Sequence, residues 1–295
     1  MELPLDARSL NSSTTLTDAR VLERYAQGER DFRGIQLAEA NFANQDLSGA
    51  NFRQAQLLKA NFKGANLAGS NFREAKLTQA DFTQAYLVLA NLIAAELTDA
   101  CLVEADLTEA GMRGVHLQRA DLSGANLRDA NLAEASMEQA RITNATLTDA
   151  SLSRAKLSGA DFSGSNLAHT NLTSAAMHGT ILTEVKLDGA YLNGATLEEA
   201  QLQKADLSRA KLSGVSLVNA DLAQANLRSA TLNWSSLRGA NFKGATLYRT
   251  KLSWSNLTGA DLTDAVMINA NLDYSNLSHT DIHGTIMPDG FPVDH

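Results

Sequence analysis

The chain has one cysteine, three prolines and few aromatic residues (5%) among its 295 positions. A lone Cys101 excludes an intramolecular disulfide and a multi-cysteine zinc site, and points to a reducing cytoplasm. No stretch approaches the ~20 continuous apolar residues that span a bilayer. Asn91 interrupts even "AYLVLANLIAA", residues 85 to 95, so no membrane association is expected. The start "MELPLDARSLNSS" has no basic leader before an apolar run, and no secretory signal is expected. Basic charge is also short. The 25 Lys and Arg residues against 33 Asp and Glu give a net charge of -8, which argues against direct nucleic-acid binding. The 44% apolar content with 20% charged residues indicates a folded chain.

What the sequence has in abundance is a period of five. From Phe32 through Leu37, Phe42 and Leu47 to Ile282 and Met287 there are 52 consecutive positions, five apart, that are all Leu, Phe, Met or Ile. This matches neither the period of a flat strand nor that of a helix. The residue two before each of these centres is nearly always small, and 36 of the 52 are Ala. Alternate residues of an extended segment point to one side, so the centre and its small partner share an interior. Of the 19 glycines, 16 lie two residues after a centre, where a type II turn requires positive φ. Proline is absent between Phe32 and Met287, as expected where each repeat donates backbone N–H groups to a stacked neighbour. Each pentad is thus a short strand plus a corner.

The eight phenylalanines of the repeat, at 32, 42, 52, 62, 72, 82, 162 and 242, are all separated by multiples of ten. In a four-sided coil of 20 residues these rings fall on two opposite walls. Arg33, Arg53 and Arg73 also recur at 20, as do Trp234 and Trp254. The expectation is an all-β parallel β-helix of about 13 coils, about 60 Å long, in which each coil touches only its neighbours. Its open ends need covers. "TLTDARVLERYAQGERDF", residues 15 to 32, has a Thr15 to Asp18 capping-box spacing, Ala19, Leu22, Tyr25 and Ala26 on one side, and Gly28 as a stop. It predicts an N-terminal capping helix. The expected organisation is a flexible segment at 1–14, the cap at 15–31, the β-helix at 32–287 and a tail at 288–295, with Phe291 folded over the last coil.

Runs such as "ADLSGANLRDANL" and "ADLAQANL" resemble the signature of the pentapeptide repeat family, and the likeness covers Phe32 to Met287. It implies a right-handed quadrilateral β-helix and a protein that is not an enzyme. The flanks "RYAQGERDF" and "GTIMPDG" further resemble cyanobacterial members, heterocyst regulators among them. The quinolone-resistance branch, which resembles a DNA rod and binds DNA gyrase, is typically dimeric through a C-terminal helix. Here the tail has no helical pattern and the pentads have no inserted residue, so a monomer is expected and gyrase binding is not favoured.

The repeat register also tests for chemistry. His279 and His283 lie near one late corner and read as solvated side chains. Cys101 stacks beside Asp81 and Asp121, which discourages a thiolate. The glycines serve corners at fixed phase and form no phosphate-cradling loop. No catalytic site, cofactor or metal is expected. The wall centred on Phe42, Phe62 and Phe82 carries nine acidic and four basic residues, including Asp81, Asp121, Asp161, Asp221, Asp261 and Asp281, whereas the opposite wall carries seven basic and four acidic. A DNA-mimicking topoisomerase binder would use the acidic wall. Outward apolar residues form two further groups: Tyr86, Val88, Leu89 and Ile93 around one corner, bordered by Arg73, Asp106 and Arg113, and Trp234, Trp254 and Tyr274 as a ladder. Aromatic anchors are enriched at interfaces. The leading expectation is a rigid scaffold that binds an unidentified protein partner through these outer faces.

Overall fold

The computed structural model describes residues 16–293. Its organising contact is a parallel bridge between a residue and the one 20 positions later, repeated without a gap from Asp31↔Asn51 to Val266↔Ile286. One circuit of the chain therefore takes 20 residues, or four pentads, and the chain is a β-helix. The bridges are one residue wide and carry bonds in both directions. Phe32 N donates to Asn51 O (2.8 Å), and Asn51 N donates to Arg30 O (2.7 Å).

The corners explain the pentad. Three residues after a centre the backbone N–H returns to the centre's carbonyl, as in Ala95 N to Leu92 O (3.0 Å). The residue two after every centre from Gly34 to Gly284 has positive φ, and 35 of these 51 residues are not glycine. Glycine at this phase thus marks only part of a rule that the whole coil obeys. The left-handed region costs a non-glycine residue about 1–2 kcal/mol. It persists because flanking coils fix each corner: Leu89, at φ 59°, donates its N–H to Thr108 O at 3.0 Å.

Every centre from Phe42 to Met267 is buried, and the small residues beside them complete one continuous core. Where Ser or Thr replaces the small Ala, its hydroxyl returns to a carbonyl of the preceding circuit, as in Thr170 Oγ1 to Leu147 O (2.8 Å) and Ser255 Oγ to Leu232 O (2.6 Å), with the exception of Ser70, whose buried Oγ has no partner among the described residues. A buried hydroxyl without such a partner would be destabilising. The early phenylalanines stack along the axis in two columns. Phe52–Phe72 and Phe62–Phe82 have centroids 5.1 and 4.9 Å apart, and Phe62 meets Phe72 edge-on across the core at 81°.

The first coil is covered by α1 (Asp18–Ala26). Its N-cap is Thr17, whose Oγ1 accepts from Arg20 N (3.2 Å), rather than Thr15, which lies outside the described residues, as does the 1–14 segment. The buried face is also rotated from the expected one. Val21 is fully buried, with Leu22 and Tyr25 half-buried, while Ala19 and Ala26 are exposed. Two polar contacts set that rotation: Asp18 Oδ2 accepts from Asn41 N (3.1 Å), and Tyr25 Oη donates to Ser48 O (2.8 Å). Gly28, at φ 97°, ends the segment as expected.

The other end differs from expectation. The tail turns at Gly290 and pairs antiparallel through Ile286↔Pro292, with Val293 N donating to Thr285 O (3.0 Å). In that hairpin Phe291 points outward and is 70% exposed, so it does not cover the last coil. Leu272, Leu277 and Ile282 are consequently only half-buried.

Candidate protein-docking surfaces

The residue two after each centre projects at a corner. Its side chain leans toward the following circuit, where a small residue leaves room. A methyl group on Gly64 would fall 2.5 Å from Asn44 Oδ1, and one on Gly239 would fall 2.5 Å from Asn219 Oδ1. Most residues at this phase are polar, charged or glycine. Leu89, Ala94, Trp234, Trp254 and Tyr274 are the apolar and aromatic exceptions.

Leu89 is 61% exposed at a backbone position that already disfavours a leucine. Tyr86 beside it is exposed, and Val88 and Ile93 are half-buried. Tyr86 is bridged between Asn66 and Asp106. Ile93 lies between Arg73 and Arg113 on the stacked circuits: Glu74 N, next to Arg73, donates to Ile93 O, and Ala94 N, next to Ile93, donates to Arg113 O, both at 3.0 Å. Arg73 pairs with Glu74 (3.0 Å) and Arg113 with Glu134 (2.9 Å), so the apolar corner has a rim of closed ion pairs. The four predicted residues thus follow one another along one circuit, with Leu89 at the corner between Val88 and Ile93.

The predicted ladder is also formed. Trp234 and Trp254 stack at 4.9 Å with 4° between planes, and Trp254 and Tyr274 at 4.3 Å with 18°. Trp234 is 65% exposed and Tyr274 76%. All three sit at positive φ, at 62°, 63° and 59°. A serine follows each ring, and Ser235, Ser255 and Ser275 anchor the corner through bonds to Leu212 O, Leu232 O and Leu252 O. Tyr191, about half exposed on the same wall, is an outward aromatic that the ladder criterion missed. Its outward phase, one before Leu192, was the available signal. Leu58 is similarly exposed without apolar company.

The acidic wall has a different character. Each of its six aspartates directs Oδ1 to the backbone N–H two residues on: Asp81 to Thr83 (2.8 Å), Asp121 to Ser123 (2.9 Å), Asp161 to Ser163 (2.9 Å), Asp221 to Ala223 (3.0 Å), Asp261 to Thr263 (2.8 Å) and Asp281 to His283 (3.0 Å). Asn51, Asn61 and Asn71 make the same bond in their own pentads. The carboxylates therefore have a local corner-bonding role, and Arg141 interrupts their column between Asp121 and Asp161. Duplex DNA carries a charge every ~1.7 Å, a density this column does not approach.

On the neighbouring wall the Arg209 guanidinium bonds to Asp188 and, with Ser208, holds that carboxyl below the ordinary carboxylate range. Arg119 does the same for Asp99. Cys101 Sγ lies 3.2 Å from Thr83 Oγ1, between Asp81 and Asp121 in its column. Among the described residues, no group of three or more His, Cys, Asp or Glu is placed to hold a metal ion, and no helix is long and apolar enough to cross a membrane.

Comparison with known proteins agrees with the repeat. Models of pentapeptide repeats match residues 110–149, 150–189, 180–217, 205–244, 216–253 and 250–287, and a pentapeptide repeat region matches residues 35–112. No curated protein matches the chain. Among solved structures, HetL, a pentapeptide repeat protein involved in heterocyst differentiation regulation in the cyanobacterium Nostoc sp. strain PCC 7120, is 29% identical. That match covers 94% of this chain and 100% of HetL, with a TM-score of 0.43. QnrB1, a plasmid-mediated fluoroquinolone resistance protein, is 18% identical over 60% of this chain and 89% of its own, with a TM-score of 0.40. A pentapeptide repeat protein from the Arabidopsis thaliana thylakoid lumen is 33% identical over 37% of this chain and 65% of its own, with a TM-score of 0.20. With family models spanning residues 35–287 without a gap, the chain belongs to the pentapeptide repeat family.

Proposed function

We propose that the protein is a non-enzymatic rigid rod that regulates a protein partner by presenting a preorganised outer surface to it. In this reading it is a right-handed, four-walled coil of thirteen circuits, acting as a monomer in the cytoplasm. Residues 15–31 form its cover, 32–287 its shaft and 288–295 its tail. The observation that carries the proposal is the placement of Leu89, Trp234, Trp254 and Tyr274. These side chains are large and apolar, occupy a left-handed corner position, and remain largely exposed. Burial does not account for them there, and glycine or a polar residue serves the same corner elsewhere. A coil held by bonds at every pentad also loses little freedom on docking, which favours affinity.

The test is capture of partners from the native cytosol by the wild-type chain and by Leu89→Asp and Trp254→Asp variants. A partner retained by the wild type and lost with either variant supports the proposal. Recovery of the same partner by both variants removes it.

A further inference from the structure

The ladder stops abruptly on its N-terminal side. In the column that carries Trp234, Trp254 and Tyr274, the two preceding corners are Gly194 and Gly214, both at positive φ. A methyl group on Gly214 would meet nothing within 4 Å, and one on Gly194 would meet only Ser174 Oγ, at 3.7 Å. Trp254 covers one face of the Trp234 ring, and the other looks over this glycine step. Two missing side chains at a coil spacing of about 4.8 Å leave a gap bounded by Ser174 and Trp234, long enough for a stacked ring.

The surroundings of the gap are polar and positive. Tyr191, Lys211 and Thr231 are bridged in sequence along its flank. Lys211, on the circuit of Gly214, and Lys251, two circuits farther on beside Trp254, have no ion-pair partner among the described residues. Asn193 Oδ1 accepts from Ser213 N (3.1 Å) and Asn233 Oδ1 from Ser253 N (3.0 Å), which orients both amides along the wall and leaves their Nδ2 donors unused.

We infer that the Gly194 and Gly214 step beside Trp234 is a slot for one aromatic side chain carried by an acidic segment of the partner protein. The incoming ring takes the place of the next rung and stacks on Trp234. The segment's carboxylates meet Lys211 and Lys251, and its backbone carbonyls meet the Asn amides. A single-stranded nucleic acid fits less well. Such ligands use a series of open ring faces along a basic groove, whereas these rings are already stacked on one another and the chain carries a net charge of -8. The inference rests on the protein-binding reading above and specifies how one of its two surfaces works.

The chain has only two tryptophans, so isotope labelling gives two indole N–H signals that report the slot directly. The probes are acetyl-Asp-Tyr-Glu-amide, the same peptide with Ala for Tyr, and adenosine monophosphate. The tyrosine peptide should move the Trp234 signal more than the Trp254 signal and saturate at millimolar concentration, while the alanine peptide leaves both in place. Gly214→Asn fills the slot with a residue that tolerates positive φ and should abolish the shift, with the circular dichroism spectrum unchanged. Lys211→Glu should weaken binding roughly threefold or more at low salt, as expected for an exposed charge pair. No shift, an equal shift with the alanine peptide, or an unchanged shift in Gly214→Asn overturns the inference. A stronger response to the nucleotide overturns it in favour of a nucleobase site. Failure here alongside partner capture that still depends on Leu89 or Trp254 would remove the slot and leave the docking function standing.

Discussion

The molecule contains two kinds of aromatic ladder built on one coil spacing. Inside, Phe52–Phe72 and Phe62–Phe82 stack at 5.1 and 4.9 Å. Outside, Trp234–Trp254 and Trp254–Tyr274 stack at 4.9 and 4.3 Å. The near-identity of these distances shows that stacking follows from the repeat itself and says nothing about purpose. What separates them is solvent and backbone. The phenylalanines are fully buried, whereas the outer rings sit in the left-handed region with much of their surface in water. The inner ladder is explained by stability, and the outer one is not.

The sharpest way to break this contrast is to truncate one ring of each kind. Phe62→Ala removes a fully buried ring with stacked and edge-on partners and should destabilise the fold by about 3–5 kcal/mol. Trp254→Ala should cost less, about 1–3 kcal/mol, from two stacked pairs worth about 0.5–1.5 kcal/mol each. Denaturant midpoints of the two variants measure the difference, and equal losses would mean that the outer ladder is structural. Leu89→Gly should change stability in the opposite direction. Glycine adopts φ 59° freely, so relief of the left-handed corner should stabilise by up to about 1 kcal/mol. A destabilised Leu89→Gly would show that the exposed leucine supports the fold after all.

The smallest effect concerns charge. Asp188 is held below its unfolded value chiefly by its hydrogen bond from Arg209. Its contribution is therefore present above the unfolded carboxylate pKa of about 3.9 and lost as pH falls through the lower folded value. Arg209→Ala should bring the onset of acid unfolding to slightly higher pH, with no change near neutrality beyond that of an ordinary surface pair. Unfolding followed from pH 6 down to about pH 2 would reveal it, and superimposable curves would remove the role given to this pair.

Much of this was legible in the sequence because the period assigns a phase to every residue. The interior Leu and Ala positions, the two phenylalanine walls, the Trp234 ladder and the grouping of Tyr86, Val88, Leu89 and Ile93 all follow from counting in fives and twenties. The misses lie where the period is silent. Val21 belongs to a helix whose rotation is set by contacts of Asp18 and Tyr25 with the first coil. Phe291 lies in a hairpin whose alternation directs it outward. The slot beside Trp234 depends on which way side chains lean, a three-dimensional property that two glycines in a list of corner glycines do not disclose.

The unbroken bridging at 20 residues has a further consequence for how such a surface changes through insertion and deletion. Gaining or losing 20 residues lengthens or shortens the rod and leaves every column aligned. A change of five keeps the interior intact yet turns everything downstream by a quarter circuit, so that Trp234 and its neighbours would no longer share a side with Arg33, Arg53 and Arg73. Changes of ten or fifteen give half and three-quarter turns in the same way, whereas any number that is not a multiple of five throws the downstream Leu and Ala out of phase with the core. The two proposed docking surfaces can therefore be re-aimed relative to each other in discrete steps, by edits that leave each one locally unchanged.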